Sequence, residues 1–282
     1  MGSRDQKEVK VGIGGIVISL MNGTRTDFQM RNSYRPFITN GTSHLRLKLH
    51  LGSPAKDITT DRRLTFNAFG TWSMYKSQNQ HIIKTTSAEA VLDSQFESGD
   101  VYLEPGVPPE EFFLNYPLDE LLMISLLPRY QGLMAHACGL NHRGRGILFA
   151  GTSGAGKTTT ANLWKGEDAV ILSDDRVIIR RGGSQFWIYG TPWHGHAGVW
   201  AAEKAPLDKI FFLKHAKKNS MKRMSPRQVL SQLLIRSFTP MWDKCAMKHT
   251  LSLMCELAEK IPSYELGFIP DKRIINFVST IS

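Results

Sequence analysis

Gly146–Ile147–Leu148–Phe149–Ala150–Gly151–Thr152–Ser153–Gly154–Ala155–Gly156–Lys157–Thr158–Thr159–Thr160–Ala161–Asn162–Leu163–Trp164 reads as an apolar run, a glycine loop and a helical pattern in succession. The loop fits G-x-x-x-x-G-K-[ST] at Gly151, Gly156, Lys157 and Thr158, and each residue type has a task in holding phosphate. Glycines let the backbone N–H groups from Gly151 through Thr152, Ser153, Gly154, Ala155 and Gly156 to Thr158 and Thr159 wrap around phosphate oxygens. Lys157 adds a point charge, and the Thr158 hydroxyl can ligate magnesium. A glycine-rich turn with an incidental lysine fits the bare motif as well, so the setting decides. Ile147, Leu148, Phe149 and Ala150 have the unbroken apolar character of a strand buried on both faces, and 157–164 holds good helix formers without a breaker. Strand, loop and helix together predict a nucleotide site that takes ATP with Mg2+.

Downstream, residues 168–173 read as a short apolar strand that ends in Asp174 and Asp175, with a second apolar run at 176–180. In an open α/β sheet the phosphate loop opens at the C-terminal edge of the strands, so carboxylates at the end of the next strand fall near bound phosphates. A helix cap or a turn is the alternative for adjacent aspartates; the loop upstream favours catalysis or magnesium binding. Only 17 positions (174 − 157) separate Lys157 from Asp174, the order of a P-loop kinase rather than a mechanical ATPase.

Upstream, residues 133–140 are apolar, and Asn141–His142–Arg143–Gly144 supplies a turn into the strand before the loop. This predicts a hairpin feeding the site. A helix is expected from Pro117, which suits a first turn, with Asp119 and Glu120 near the positive end of its dipole. Before it, the chain reads as short strands at 15–20, 45–51, 63–69, 72–75, 81–84 and 100–104, with turns at Asn22–Gly23, Asn40–Gly41 and Gly52–Ser53–Pro54. Residues 45–51 alternate strictly, with four leucines on one face and Arg46, Lys48 and His50 on the other, the pattern of a half-buried antiparallel strand. His44, His50 and His81 fall without metal spacing and read as surface histidines. After the aspartates come a strand at 186–189, amphipathic helices at 229–237 and 245–259, a last strand at 264–268 and a short helix at 274–278. The connector at 105–111 separates a β-rich N-terminal module, residues 1–110, from an α/β domain, residues 111–282.

The chain of 282 residues is 41% hydrophobic, enough for a substantial core. Cys138, Cys245 and Cys255 are an odd, scattered set with no C-x-x-C pair, so neither a disulfide framework nor a zinc site is indicated and a reducing, cytoplasmic setting is expected. The apolar stretch 11–20 is too short and glycine-rich to span a bilayer, and the start Met1–Gln6 lacks a myristoylation pattern, so no membrane attachment is expected. Much of the net charge of +10 gathers in residues 204–227. Without a helix-turn-helix, a stacking platform or a zinc module, it does not predict a nucleic-acid partner.

His136, the pair Gly144 and Gly146, the loop S-G-x-G-K-[ST] at 153–158 and Asp-Asp-Arg at 174–176 together resemble, over about 45 collinear residues, the catalytic domain of HPr kinase/phosphorylase. That family comprises bacterial serine kinases related in fold to ATP-dependent phosphoenolpyruvate carboxykinase. The resemblance implies an α/β P-loop kinase domain of that type, joined here to the β-rich module. It implies that Asp174 and Asp175 jointly serve phosphoryl transfer and magnesium, with Lys157 on the outer phosphates. It also brings His136 forward: residues equidistant from the hairpin turn face one another, so Ala150 and Gly151 lie closest to it. His136 then either donates a hydrogen bond at the site, assisting Asp174 or Asp175, or is a buried histidine satisfied by a backbone carbonyl. The family's E-I-R-G-L-G segment is missing; G-T-P-W-H-G at 190–195 stands in its place and reads equally as a closing loop or as a turn anchored by a tryptophan. The expected activity is an ATP-dependent kinase acting on a serine-type hydroxyl of a peptide or protein. A small-molecule kinase of the shikimate-kinase type and a nucleotide-binding regulator without turnover stand as alternatives. The acceptor is open, and so is whether the chain forms a homo-oligomer.

Overall fold

The computed structural model describes residues 7–22, 28–54, 61–77, 79–108 and 114–279. Gly23 of the turn expected at Asn22–Gly23, residues 109–111 of the connector and the start Met1–Gln6 lie outside the described residues. The chain forms two compact units, Met1–Leu126 with Pro240–Lys244, and Leu127–Thr239 with Cys245–Ser282. The division expected near residue 110 falls instead after Leu126.

Among the described residues the first unit is built on one sheet of eight strands, β1 (Lys7–Ile13), β2 (Ile16–Asn22), β3 (Leu45–Leu51), β4 (Arg63–Asn67), β5 (Trp72–Lys76), β6 (Gln80–Thr85), β7 (Ala88–Asp93) and β8 (Ser98–Leu103). Their order is β1-β2-β3-β8-β7-β6-β5-β4. The strand expected at 15–20 is half of a hairpin. Gly14 and Gly15, at φ 60° and 74°, turn β1 back onto β2, a two-residue loop that needs positive φ at both positions. β3 is half-buried as its alternation requires, with Leu45, Leu47 and Leu49 in the core. It pairs parallel, not antiparallel, with both neighbours, and Leu51 is exposed. Alternation reports which face is buried; the direction of a partner depends on long connections that leave no mark on the strand itself. β7 was not expected, because Ala88, Glu89 and Ala90 favour helix; here burial overrides that preference. All nine residues of helix α1 (Leu118–Leu126) are buried, and the Tyr34 hydroxyl donates to Asp119.

The second unit is built on two long strands, β9 (Gly132–His142) and β14 (Lys204–His215). Residues 137–142 of β9 pair with β10 (Arg145–Ala150), and β11 (Ala169–Ser173) pairs with β9 on its other side. Residues 132–136 of β9 pair with β12 (Arg176–Gly182), which continues through β13 (Gln185–Tyr189) to the start of β14. β14 then runs parallel to β10 and to β17 (Ser263–Phe268), and β15 (Ser220–Arg223) closes the edge. β14 was hidden inside the basic stretch. Its core, Ile210, Phe211, Phe212 and Leu213, is buried, while its lysines are dispersed: Lys209 is buried beside Asp208, Lys214 pairs with Glu265, and Lys204 lies over the Trp187 ring.

β10 and β14 are buried on both faces, as central parallel strands are. Leu148, Ala150, Ile210 and Phe212 pack with α3 (Pro226–Ile235) and α4 (Lys244–Lys260). Ile147, Phe149, Phe211 and Leu213 pack with α2 (Lys157–Trp164) and α5 (Arg273–Ser279). α3 begins three residues before the expected start, at a capping box in which Ser225 and Gln228 satisfy each other's backbone N–H groups and Pro226 fills the first turn. No helix among the described residues is long and apolar enough to cross a membrane.

Candidate active site

β10, β11, β14 and β17 share one direction, since β10 and β11 are both antiparallel to β9, β14 is parallel to β10, and β17 is parallel to β14. The chain segments that leave their C-terminal ends are the Gly151–Gly156 loop, Asp174–Asp175, the turn after His215 and the turn after Phe268. The sheet thus gathers the motif residues at one edge, where a ligand fits outside the carboxyl ends of parallel strands.

The loop leaves Ala150, turns at Gly154 (φ 78°) and enters α2 through Gly156 (φ 107°). A Cβ on Gly156 would stand 2.6 Å from Phe268 Cζ, and one on Gly151 would stand 2.7 Å from Ala155 Cβ. Close approach therefore requires both glycines, and at Gly156 the backbone angle requires it too. Thr152 and Ser153 are exposed, Ala155 is buried, and Thr158 and Thr159 are half-buried on the first turn of α2. Lys157 is 7% exposed, and its Nζ donates to Gly151 O at 3.0 Å and Thr152 O at 3.1 Å. Burial pushes its pKa below the usual lysine value and Arg236 adds to this, while Asp175, Cys138 and Asp174 oppose it. His215 Nε2 lies 2.9 Å from Gly154 O, tying the end of β14 to the loop.

The two aspartates have different surroundings. Asp174 is buried; its Oδ1 accepts the Gly195 N–H at 2.7 Å, and its Oδ2 accepts the Ala197 N–H at 2.9 Å and faces the Thr158 hydroxyl at 3.4 Å. Asp175 Oδ1 is 2.9 Å from His136 Nε2, and Arg176 Nη1 donates to its other oxygen. Burial alone would raise the Asp175 pKa. The His136 hydrogen bond and the charges of Arg176, His136 and Lys157 outweigh it and hold the carboxyl below its ordinary range.

Ser173 shapes the bend between them. Its hydroxyl donates to Trp193 O at 2.8 Å and accepts the Asp175 and Arg176 N–H groups, both at 3.2 Å. Thr191 Oγ1 donates to Arg176 O at 2.5 Å. The G-T-P-W-H-G segment is thereby fastened beneath the aspartates, and its glycine at 195 lets the backbone reach Asp174: a Cβ there would stand 2.8 Å from Asp174 Oδ2. Trp193 is 7% exposed, whereas His194 stacks on Trp200 with ring centroids 4.7 Å apart.

His136 is the residue at which β9 changes partners. Ala137 pairs with Ala150, whereas His136 pairs with Arg176. Its N–H donates to Arg236 O at 2.7 Å. The Phe238 ring lies 6.1 Å from its imidazole, with the Arg176 guanidinium over the same ring at 5.1 Å. β16 (Ser237–Phe238) holds this segment against β9. The sequence-predicted residues Lys157, Thr158, Asp174, Asp175 and His136 thus come together. Sequence reasoning missed Ser173, His215, Arg236 and the N–H groups of Gly195 and Ala197. A backbone donor has no side-chain signature, and of these only the glycine at 195 was visible as a point of close approach.

Among the described residues no three His, Cys, Asp or Glu side chains converge as a metal cage. Thr158 and Asp174 offer one hydroxyl and one carboxylate, a donor set that suits magnesium, which keeps waters and takes the rest of its shell from phosphates.

The family model that matches is that of the SynChlorMet cassette protein ScmC, over residues 118–269, more than half of the 282-residue chain. The chain belongs to the ScmC family. No curated protein matches it. The likeness to HPr kinase/phosphorylase and phosphoenolpyruvate carboxykinase is corrected by this match. The residues that suggested it, from His136 to Arg176, form a glycine loop with carboxylates beside it, and such a constellation recurs on different families because the chemistry demands it.

Proposed function

We propose that the protein is an ATP-dependent phosphotransferase with a P-loop kinase fold in its second unit, acting on a hydroxyl group of a peptide or protein. The observation that carries the reading is the convergence of a buried Lys157 on its glycine loop, the Thr158–Asp174 contact at 3.4 Å, and an Asp175 paired with His136 at 2.9 Å. In this reading Thr158 and Asp174 hold the magnesium ion, which neutralises phosphate charge when bound. Lys157 leaves its loop carbonyls for the outer phosphates. Asp175, kept ionised by His136 and Arg176, orients the acceptor hydroxyl. The hydroxyl oxygen forms the new bond to the terminal phosphorus, the bond from that phosphorus to the bridging oxygen breaks, and ADP leaves with its electron pair. The hydroxyl proton passes to Asp175 late in the transfer, when the oxygen has become acidic. Such chemistry asks for positioning and charge neutralisation more than covalent catalysis, so few residues suffice.

A polypeptide acceptor is favoured by the first unit, whose sheet carries a groove of about 850 Å³ lined by Arg46, Lys48, Asp93, Asp100 and Tyr102 among others, side chains that can pair with the polar groups of a peptide. Three free cysteines and the use of ATP fit a cytoplasmic location. The test is ATP-to-ADP conversion with candidate peptides, measured beside Asp174→Asn and Asp175→Asn. Transfer that depends on both carboxylates supports the reading, and turnover indifferent to either removes that residue from it.

A further inference from the structure

We infer that Arg236 is a second cation of this site, a catalytic residue that contacts the phosphoryl group during transfer. The inference rests on the phosphotransferase reading above. Arg236 ends α3, and its backbone is fixed: its N–H donates to Leu233 O at 3.1 Å, and its carbonyl accepts the His136 N–H at 2.7 Å. Its guanidinium lies 5.8 Å from the centroid of the Phe212 ring. Phe212 pairs with Ala150, the last residue before the phosphate loop. The residue therefore joins the acceptor side, at His136, to the root of the loop.

Its hydrogen bonding is incomplete. Nη1 donates to Gln232, but the Nε atom is buried and has no acceptor among the described residues, and the neighbouring Ser237 hydroxyl likewise has no partner among them. Buried donors are ordinarily paired, and a charged one left without an acceptor is costly. A guanidinium in that state is suited to an anion, since its planar fork matches two phosphoryl oxygens at once. Burial lowers its pKa, and its charge is felt at Lys157. The transferring group spreads charge over its equatorial oxygens, and a cation that meets it there, supplied by the same chain, acts on the transition state more than on bound ADP.

The test separates these two states. The 282-residue chain is titrated with ADP–Mg2+, alone and with aluminium fluoride, which mimics the group in transit, in wild type, Arg236→Ala and Arg236→Lys. Arg236→Ala is expected to keep its ADP affinity within about twofold and to lose roughly tenfold or more of the added affinity that the fluoride gives wild type. Arg236→Lys, which keeps a cation and the packing on Phe212, is expected to fold and to recover only part of that gain, because it lacks the fork. Fluoride enhancement that persists in both variants overturns the assignment. So does a loss of ADP affinity and enhancement in equal measure, which marks a packing residue. A wild type that binds no ADP–Mg2+ overturns the phosphotransferase reading together with this one, whereas normal wild-type binding and transfer with insensitive variants overturns this one alone.

Discussion

His136 Nε2 stands 2.9 Å from Asp175 Oδ1 although the two residues come from segments separated by the whole phosphate loop and its helix. The contact follows from register. Arg176 pairs with His136 across β9 and β12, so the residue before it is delivered to the imidazole, and the Asp175 carbonyl accepts the Ala137 N–H at 3.0 Å alongside. Backbone pairing thus fixes a side-chain pair at the point where β9 passes from one partner to the other.

This pair makes stability depend on acid. The Asp175 carboxyl is held below the ordinary value of 3.8, so between the folded and unfolded pKa values the unfolded chain binds more protons. Its stabilisation is complete above the unfolded value and is lost as pH falls through the folded one. Asp175→Asn should cost about 1.5–3 kcal/mol at neutral pH, the range for a hydrogen bond to a charged group. That difference from wild type should shrink in denaturant titrations carried below about pH 4. A difference that stays constant through that range contradicts the ionised pair.

Gly195→Ala should damage the site more than the fold. The new Cβ would meet Asp174 Oδ2 at 2.8 Å and Asp175 Cβ at 3.3 Å, forcing the carboxylate or the backbone donor aside. We expect a loss of about 1–3 kcal/mol in stability and a fall in transfer of at least roughly tenfold from misplacement near the reacting groups. Unchanged transfer would show that the Gly195–Asp174 bond is dispensable.

Gly156→Ala combines two penalties. Its φ of 107° disfavours any side chain, and the added methyl group would meet Phe268 Cζ at 2.6 Å. We expect about 2 kcal/mol or more of destabilisation. Measured against Phe268→Ala alone, the cost of Gly156→Ala should fall only in part, because removing the ring relieves the clash and leaves the backbone strain. Full recovery in thermal melts would assign the whole cost to the ring.

The loop, its strand and helix, and the hairpin before it were legible because apolar runs, glycines and a helical pattern follow one another without interruption from 133 to 164. The aspartates were legible from their place after a short apolar strand. β14 was not, since Lys204, Lys209 and Lys214 flank the short run at Ile210–Leu213 and make a central strand look like a charged surface. The parallel pairing of β3 was invisible for another reason: Leu45–Leu51 encodes a buried face, and strand direction is settled by distant segments. Within the site, Arg236 lies far along the chain from the aspartates, and nothing local to Ile235–Arg236–Ser237 announces the carbonyl that meets His136. The same limit explains the corrected family: residues 136–176 carry the chemistry, and the identity of the chain is spread over 118–269.

The central claim is that the Gly151–Thr158 loop holds the phosphates of ATP with Lys157. Isothermal titration of ATP–Mg2+ into wild type and into Lys157→Ala tests it most directly. Wild type should bind, and the folded variant should bind at least roughly tenfold more weakly, having lost the loop's one fixed positive charge. Equal affinity in two folded proteins, or no binding by wild type at all, would contradict it.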